Sequence, residues 1–546
     1  MVAQSKPVTN MGQFTSSSAP SEEQSQLPPV QNINQFQDRV RQLIQNKCLS
    51  RQEKAWFRSV FSKFSSTSGT SPTWNESDLV EVLGTTLPNE LKPTLNAAGP
   101  LIYRSMIRIG SFPYQNQPDS ALTADVALVA VIILLRRHES SASAISDIGN
   151  GDENEEVRWA DWLRRILFQS MVVHDNSAAD RNSKRSDFDD EDLLRAHKFV
   201  SNNNKWRDWE RNPKVAHSGP PIISASELPS SRSQYLGGSI PNSELEALIK
   251  LLLANQLYLT GNGPDILVRE ENQLNAGVNS IMAALRQPNE ASGITWESFN
   301  RVFSESPSIF SGFTRLFALL LLDGGIKQEH VDSATRIEAT KLLRGAYSVS
   351  QSRNLPTGSV FNLPVLAQVT TFLPEGRLAL QSASVLYTAI DKFEITSLQK
   401  ELSERTQQLL LLISGLSSSS RTPVSIGAFL PGKGQEQQQI ETGKPQIRAS
   451  LFQLRPTHRI SSSSQSDLTV ERGTSKGVEI RLAEKGLATV RLTLNEQTQT
   501  ASFYPREQNE NDDTVSFDVK VDAVDLIGFT TSKNLFDLLT DKAFFY

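Results

Sequence analysis

The chain has 546 residues, 38% of them hydrophobic and 25 of them Phe, so it can bury more than one sizeable core. Its formal net charge of −5 lacks the concentrated basic footprint that a nucleic-acid binder carries. The single cysteine, Cys48, excludes an intramolecular disulfide and any Cys-based zinc cluster, and it fits a reducing compartment.

Residues 1–31 are rich in Ser, Gln and Pro and are expected to form a disordered tail. Within it, Met11-Gly12-Gln-Phe-Thr-Ser16 fits the myristoylation pattern, so Gly12 becomes acylable if translation starts at Met11. One such chain would hold a membrane only weakly, and a second anchor would be needed.

Helical signals dominate residues 32–175. Ser50 to Glu53 reads as a capping box, with Trp56, Phe57, Val60, Phe61 and Phe64 behind it at helical spacing. Thr73 to Glu76 reads as a second box ahead of Leu79 and Leu83. Thr123 is expected to cap a helix over Val126–Leu135 that is apolar all round, and therefore central to its domain. That run is about half the ~20 residues a spanning helix needs, so no transmembrane segment is predicted. A short amphipathic helix follows over Val157–Val173.

Residues 176–240, with clusters of Ser, Asn, Asp and Pro, read as a long linker or loop. Inside it, Trp206 to Arg211 interleaves aromatics and charges, as either a groove-docking peptide or a short amphipathic helix. A helical region resumes over 241–355, with Ser243 and Glu246 as a further capping box. Its stripe runs from Leu245, Leu248, Ile249 and Leu252 to Phe299, Phe303, Phe313 and Phe317. No internal repeat is visible.

After about Phe361 the hydrophobic period moves from 3.6 towards 2. Val478-Ile480-Leu482, Val490-Leu492-Leu494 and Val515-Phe517-Val519-Val521 alternate with polar neighbours, as half-buried antiparallel strands do. Gln408 to Ser414 is instead continuously apolar, as in a strand covered on both faces.

Candidate chemistry is sparse. Gly427 to Gly434 satisfies GxxxxGK, but Gly434 stands where a Mg²⁺-binding hydroxyl belongs and Pro431 removes a cradle amide, so a strand-exit loop is expected. Neither Trp74–Gly84 nor Asp187–Asp192 has the oxygen order of a calcium loop. The six histidines are scattered, and His458 is expected to be structural. Hence no catalytic residue, metal or cofactor is assigned.

Several back-half segments resemble a TLDc domain. Ser384-Val-Leu-Tyr-Thr388, Leu409 to Ile413, Val424-Ser-Ile-Gly427-Ala-Phe429 and Val524 to Phe529 resemble its strands. The most specific match is Ser450-Leu451-Phe452-Gln453-Leu454-Arg-Pro456-Thr-His458, similar to the LFQLxPxH of fungal members. Tyr103 to Pro113 resembles the EF-hand-like region that precedes TLDc in the restriction of telomere capping protein 5 family. The sequence also departs from the family. Asp391 to Ser397 replaces a glycine-containing HGxS-like turn, and Leu526 or Ile527 stands for a Trp.

This resemblance implies an α+β protein: an N-terminal α-helical EF-hand-like region, then a C-terminal antiparallel β-sandwich of TLDc type over 360–546. It also implies a non-enzymatic adaptor that binds peripheral subunits of the vacuolar proton pump, the V-ATPase, and affects its assembly. Such a protein would be cytoplasmic, with peripheral contact at the vacuolar membrane and no nucleic-acid partner. The alternatives are an oxidation-resistance protein, whose thiol chemistry would rest on Cys48, and a nuclear telomere-associated factor.

Overall fold

The computed structural model describes residues 33–49, 51–66, 72–85, 87–112, 121–135, 153–173, 238–257, 268–286, 293–310, 312–313, 316–317, 320, 360–373, 383–404, 407–432, 449–463, 467–473, 477–483, 490–504 and 516–529. Met11, Gly12, Ser50, the Trp206–Arg211 segment and every histidine except His458 lie outside the described residues. The fold is α+β, with helices first and an antiparallel sheet after them.

The first helices are α1 (Ile33–Cys48), α2 (Arg51–Phe64), α3 (Glu76–Gly84), α4 (Lys92–Gly110) and α5 (Ala124–Leu134). Strand β1 (Thr73–Trp74), between α2 and α3, pairs antiparallel with β2 (Leu122–Thr123), between α4 and α5. Two helix–loop–helix units are thereby joined loop to loop. The plan returns in α6 (Glu153–Met171), α7 (Asn242–Leu257), α8 (Glu271–Leu285) and α9 (Trp296–Glu305). Here Ile240 and Ile294 exchange two backbone hydrogen bonds of 2.9 Å. The architecture repeats although the sequence does not. What recurs is one buried apolar residue ahead of each second helix: Trp74, Leu122, Ile240 and Ile294.

Helix α5 buries every residue from Val126 to Leu134, because none offers a polar face to water. The Thr123 side chain accepts the Val126 N–H and caps it. The other predicted caps move. Asn75, and not Thr73, forms a capping box with Asp78, and α7 begins at Asn242, so Ser243 lies inside the helix. Arg104 and Arg108 of α4 satisfy carbonyls at the end of α6 that have no partner within the helix. Arg108 donates to Gln169 and Val172 at 2.8 Å, and Arg104 to Met171 at 2.9 Å. Val173 N–H donates to the Ser239 carbonyl at 3.1 Å, which joins the end of α6 to the residues just ahead of α7.

The sheet comprises β3 (Ala383–Ile390), β4 (Gln408–Ser417), β5 (Pro423–Leu430), β6 (Ala449–Arg455), β7 (Arg459–Ser463), β8 (Asp467–Gly473), β9 (Gly477–Ala483), β10 (Val490–Asn495), β11 (Thr500–Tyr504) and β12 (Phe517–Phe529). Their order is β7-β6-β5-β4-β12-β11-β10-β9-β8, and β3 also pairs with β12. All ten strands are hydrogen-bonded into one antiparallel sheet. It folds over, so that β6 touches β9 and β10 without pairing with either.

Leu409, Leu411 and Ile413 of β4 point into the inner core between the wings, while Leu410 and Leu412 point into a second, outer core. This is why that strand reads as one continuous apolar run. Two helices fall where only strands were expected. They are α10 (Leu363–Val369) and α11 (Ile395–Glu404), the latter burying Ile395, Leu398 and Leu402 against the sheet.

Candidate functional site

The motif Ser450–His458 forms β6 and the turn into β7, and the geometry converges there. Alternation sends Leu451 to the inner core and Phe452 and Leu454 to the outer one, where the Phe452 ring lies 5.0 Å from that of Phe372. Strand β6 is bulged: Gln453 pairs with Ile426 and Arg455 with Ser425, so Leu454 is the extra residue. Its carbonyl accepts hydrogen bonds from the helical block instead, from the Ser280 hydroxyl of α8 and, at 2.9 Å, from Gln368 Nε2 of α10. Gln453 is buried and donates to the Arg455 carbonyl at 3.3 Å, and Pro456 is exposed.

His458 sits at the centre, 3% exposed. Its backbone N–H donates to the Ser280 carbonyl at 3.1 Å. Its Nε2 lies 3.0 Å from Ser306 Oγ, just past α9, and its Nδ1 lies 3.1 Å from Gln368 Nε2. A carbonyl only accepts, so the contact with Leu454 orients the Gln368 amide with its nitrogen inward. That nitrogen therefore donates to Nδ1 as well, which leaves the imidazole proton on Nε2, donated to Ser306. Burial pushes the His458 pKa down to about 3. A second proton would sit on Nδ1 facing the Gln368 donor, which opposes protonation further. With both ring nitrogens engaged, His458 is neutral and has no free position from which to take a substrate proton.

Other polar contacts complete the seam between the helices and the sheet. Arg455 Nη2 donates to the side chain of Gln273 at 2.8 Å and to its carbonyl at 3.3 Å, and desolvation lowers the Arg455 pKa. Ile460 N–H donates to Glu305 at 3.4 Å. Asp525, fully buried on β12, accepts from Phe361 N–H at 2.8 Å and from the Thr388 hydroxyl at 2.6 Å.

Gly427 lies in the middle of β5, where a Cβ would meet the Leu411 carbonyl at 2.2 Å and the Phe452 ring at 2.7 Å. It is a strand glycine required by close packing, and Phe429 two residues on fills the outer core. Cys48 is half-buried against the helical core. Among the described residues no group of three or more His, Cys, Asp or Glu side chains could hold a metal ion. No described helix is long and apolar enough to cross a membrane. Gln368, Ser280, Ser306 and Asp525 carried no sequence signal, since their partners lie 86 to 174 residues away.

No family model matches the chain, and no solved structure does. Curated fungal relatives match it over most of its length. The protein named restriction of telomere capping protein 5 from Colletotrichum graminicola is 23% identical over 393 residues, which is 68% of this chain and 60% of that one. The protein of the same name from Aspergillus flavus is 23% identical over 513 residues, 84% of this chain and 79% of that one. That from Emericella nidulans is 22% identical over 462 residues, 78% and 67%. The chain is thus similar, at 22–23% identity, to fungal proteins named restriction of telomere capping protein 5, and diverged from them. Neither block alone makes up 84% of the chain, so the likeness to the restriction of telomere capping protein 5 of Aspergillus flavus takes in both helices and sheet. The chain's match spans less than two thirds of the Colletotrichum protein's own length.

Proposed function

We propose that this protein is a non-enzymatic, protein-binding regulator whose sheet is a TLDc domain and whose paired helix–loop–helix units are EF-hand-like and metal-free. The observation that carries this reading is the seam at His458. The residues most similar to the family motif are used to dock the two blocks, with the only described histidine neutral and held at both ring nitrogens. Two blocks joined through the motif residues suit an adaptor better than an active site, though the fold alone does not select a function.

The partner proposed from the family resemblance is the peripheral sector of the vacuolar proton pump, met in the cytoplasm or at the vacuolar surface. Immobilised full-length protein is to be exposed to purified peripheral sector. Saturable binding that alters reassembly of the pump supports the proposal, and no binding at micromolar concentration rejects it. The name of the relatives favours a second reading, a role connected with telomere capping. Genetic epistasis with telomere-capping mutants, together with binding to the pump, separates the two.

A further inference from the structure

Strand β3 pairs with β12 and, among the described residues, leaves its other edge open. Exposed sheet edges are ordinarily blunted by charge or proline. The outermost strands of the long path follow that rule, with Arg459 on β7 and Asp467, Glu471 and Arg472 on β8. Strand β3, ASVLYTAI, has neither charge nor proline. Among the described residues, two of the five exposed large hydrophobic side chains, Val385 at 37% and Ile390 at 50%, lie on it.

The face pattern of β3 is unusual. Its register shifts where Tyr387 opposes Leu526 and Val385 opposes Ile527, so Leu386 is a bulge residue. Leu386, Tyr387 and Ala389 all pack towards the inner core. Val385, Thr388 and Ile390 stand opposite Ile527, Asp525 and Ala523 and share the outer face with them. The bulge makes the inner and outer positions read the same from either end of the strand. An unbulged strand of eight residues cannot do this, because strict alternation gives its two ends opposite faces.

We infer that two copies of this chain pair through β3, antiparallel about a two-fold axis between Leu386 and Tyr387, to make one continuous sheet. In that register Val385 meets Thr388 of the second copy on the outer face, and Ser384 meets Ala389 of the second copy on the inner face. No like charges meet across the axis, and the pairing is isologous and closed.

The test uses the full chain. Sedimentation equilibrium from micromolar concentrations upward is expected to give a dimer, and the Val385→Lys/Ile390→Lys variant is expected to be a monomer with unchanged melting. A second measurement reads the register and does not depend on that variant. Ser384→Cys and Ala389→Cys proteins, each in a Cys48→Ser background, are oxidised singly and as a mixture. A disulfide-linked dimer in the mixture alone supports the inference. A wild-type monomer overturns it, as does a dimer that survives the lysine variant or an absence of cross-linking in the mixture. A β3 edge occupied by another protein, or by another part of this chain, would appear as the monomer.

Discussion

Gln368 donates one amide proton to the Leu454 carbonyl at 2.9 Å and the other to Nδ1 of His458 at 3.1 Å, so one side chain on α10 reads both the bulge of β6 and the tautomer of the histidine beyond it. The contact joins residues 86 and 90 positions apart. It sits on a helix that belongs to both blocks, since Ala367 packs in the helical core while Val365, Leu366 and Val369 pack in the outer core of the sheet.

Replacing Gln368 by Leu keeps much of the volume but leaves Nδ1 of His458 without its donor, and Leu454 with Ser280 alone. An unsatisfied buried acceptor costs about 1–3 kcal/mol. A loss of that size is expected in urea unfolding. The m-value should be unchanged, because helices and sheet still unfold together.

Stability should depend on pH through His458. Its folded pKa of about 3 lies below the ordinary histidine value of 6.5, so the unfolded chain takes up the proton first as pH falls. The favourable contribution is complete above 6.5 and is lost progressively between 6.5 and about 3, with a slope of at most about 1.4 kcal/mol per pH unit. His458→Gln removes the slope. The variant is expected to be less stable than wild type at pH 7, and the gap should narrow as the pH is lowered to 4. A constant gap in urea midpoints across that range would contradict the assigned ionisation.

Gly427→Ala places a methyl group 2.2 Å from the Leu411 carbonyl, where backbone cannot yield cheaply. Overpacking of this kind costs about 1–3 kcal/mol or more. A lowered melting temperature is expected, without any change in response to added nucleotide.

The boundary between the blocks has a consequence for truncation. A fragment that stops at 353 omits α10 and bares α7 and α8 surfaces that α10 covers. A fragment that continues through Leu373 keeps α10 but exposes Phe361, Phe372 and Leu373 of the outer core. Both are expected to bind hydrophobic dye more strongly than the full chain and to melt less cooperatively.

Local features were legible where one element decides them. The uniformly apolar α5 with its Thr123 cap, the alternation of β9 and β10, and the continuous apolar run of β4 all follow from periodicity and burial within single segments. Helix α11 was missed although Ile395, Leu398 and Leu402 are spaced i, i+3, i+7, because ten residues between strands give a weak helical signal. The glycine missing from Asp391–Ser397 also has an explanation. Asp391 itself adopts φ 64°, and its N–H donates to Asp522 at 2.7 Å. Long-range features were not legible. The Val515–Val521 and Val524–Phe529 patterns belong largely to one 13-residue strand, β12, bulged at Asp522, and no periodicity announces that it will lie at the centre of the sheet.

That placement governs how the protein must be made. Among the described strands β12 is the last to leave the ribosome, yet it separates β4 from β11 and holds β3. Until it arrives, the wing from β4 to β7 and the wing from β8 to β11 are two unjoined sheets, each with a bare inner edge that can pair with the wrong chain. The helical block can close while synthesis continues, but the sheet cannot. A ribosome that stops even a few residues before Phe517 therefore releases a folded front and an open, adhesive back, the kind of product that chaperones and proteases must remove.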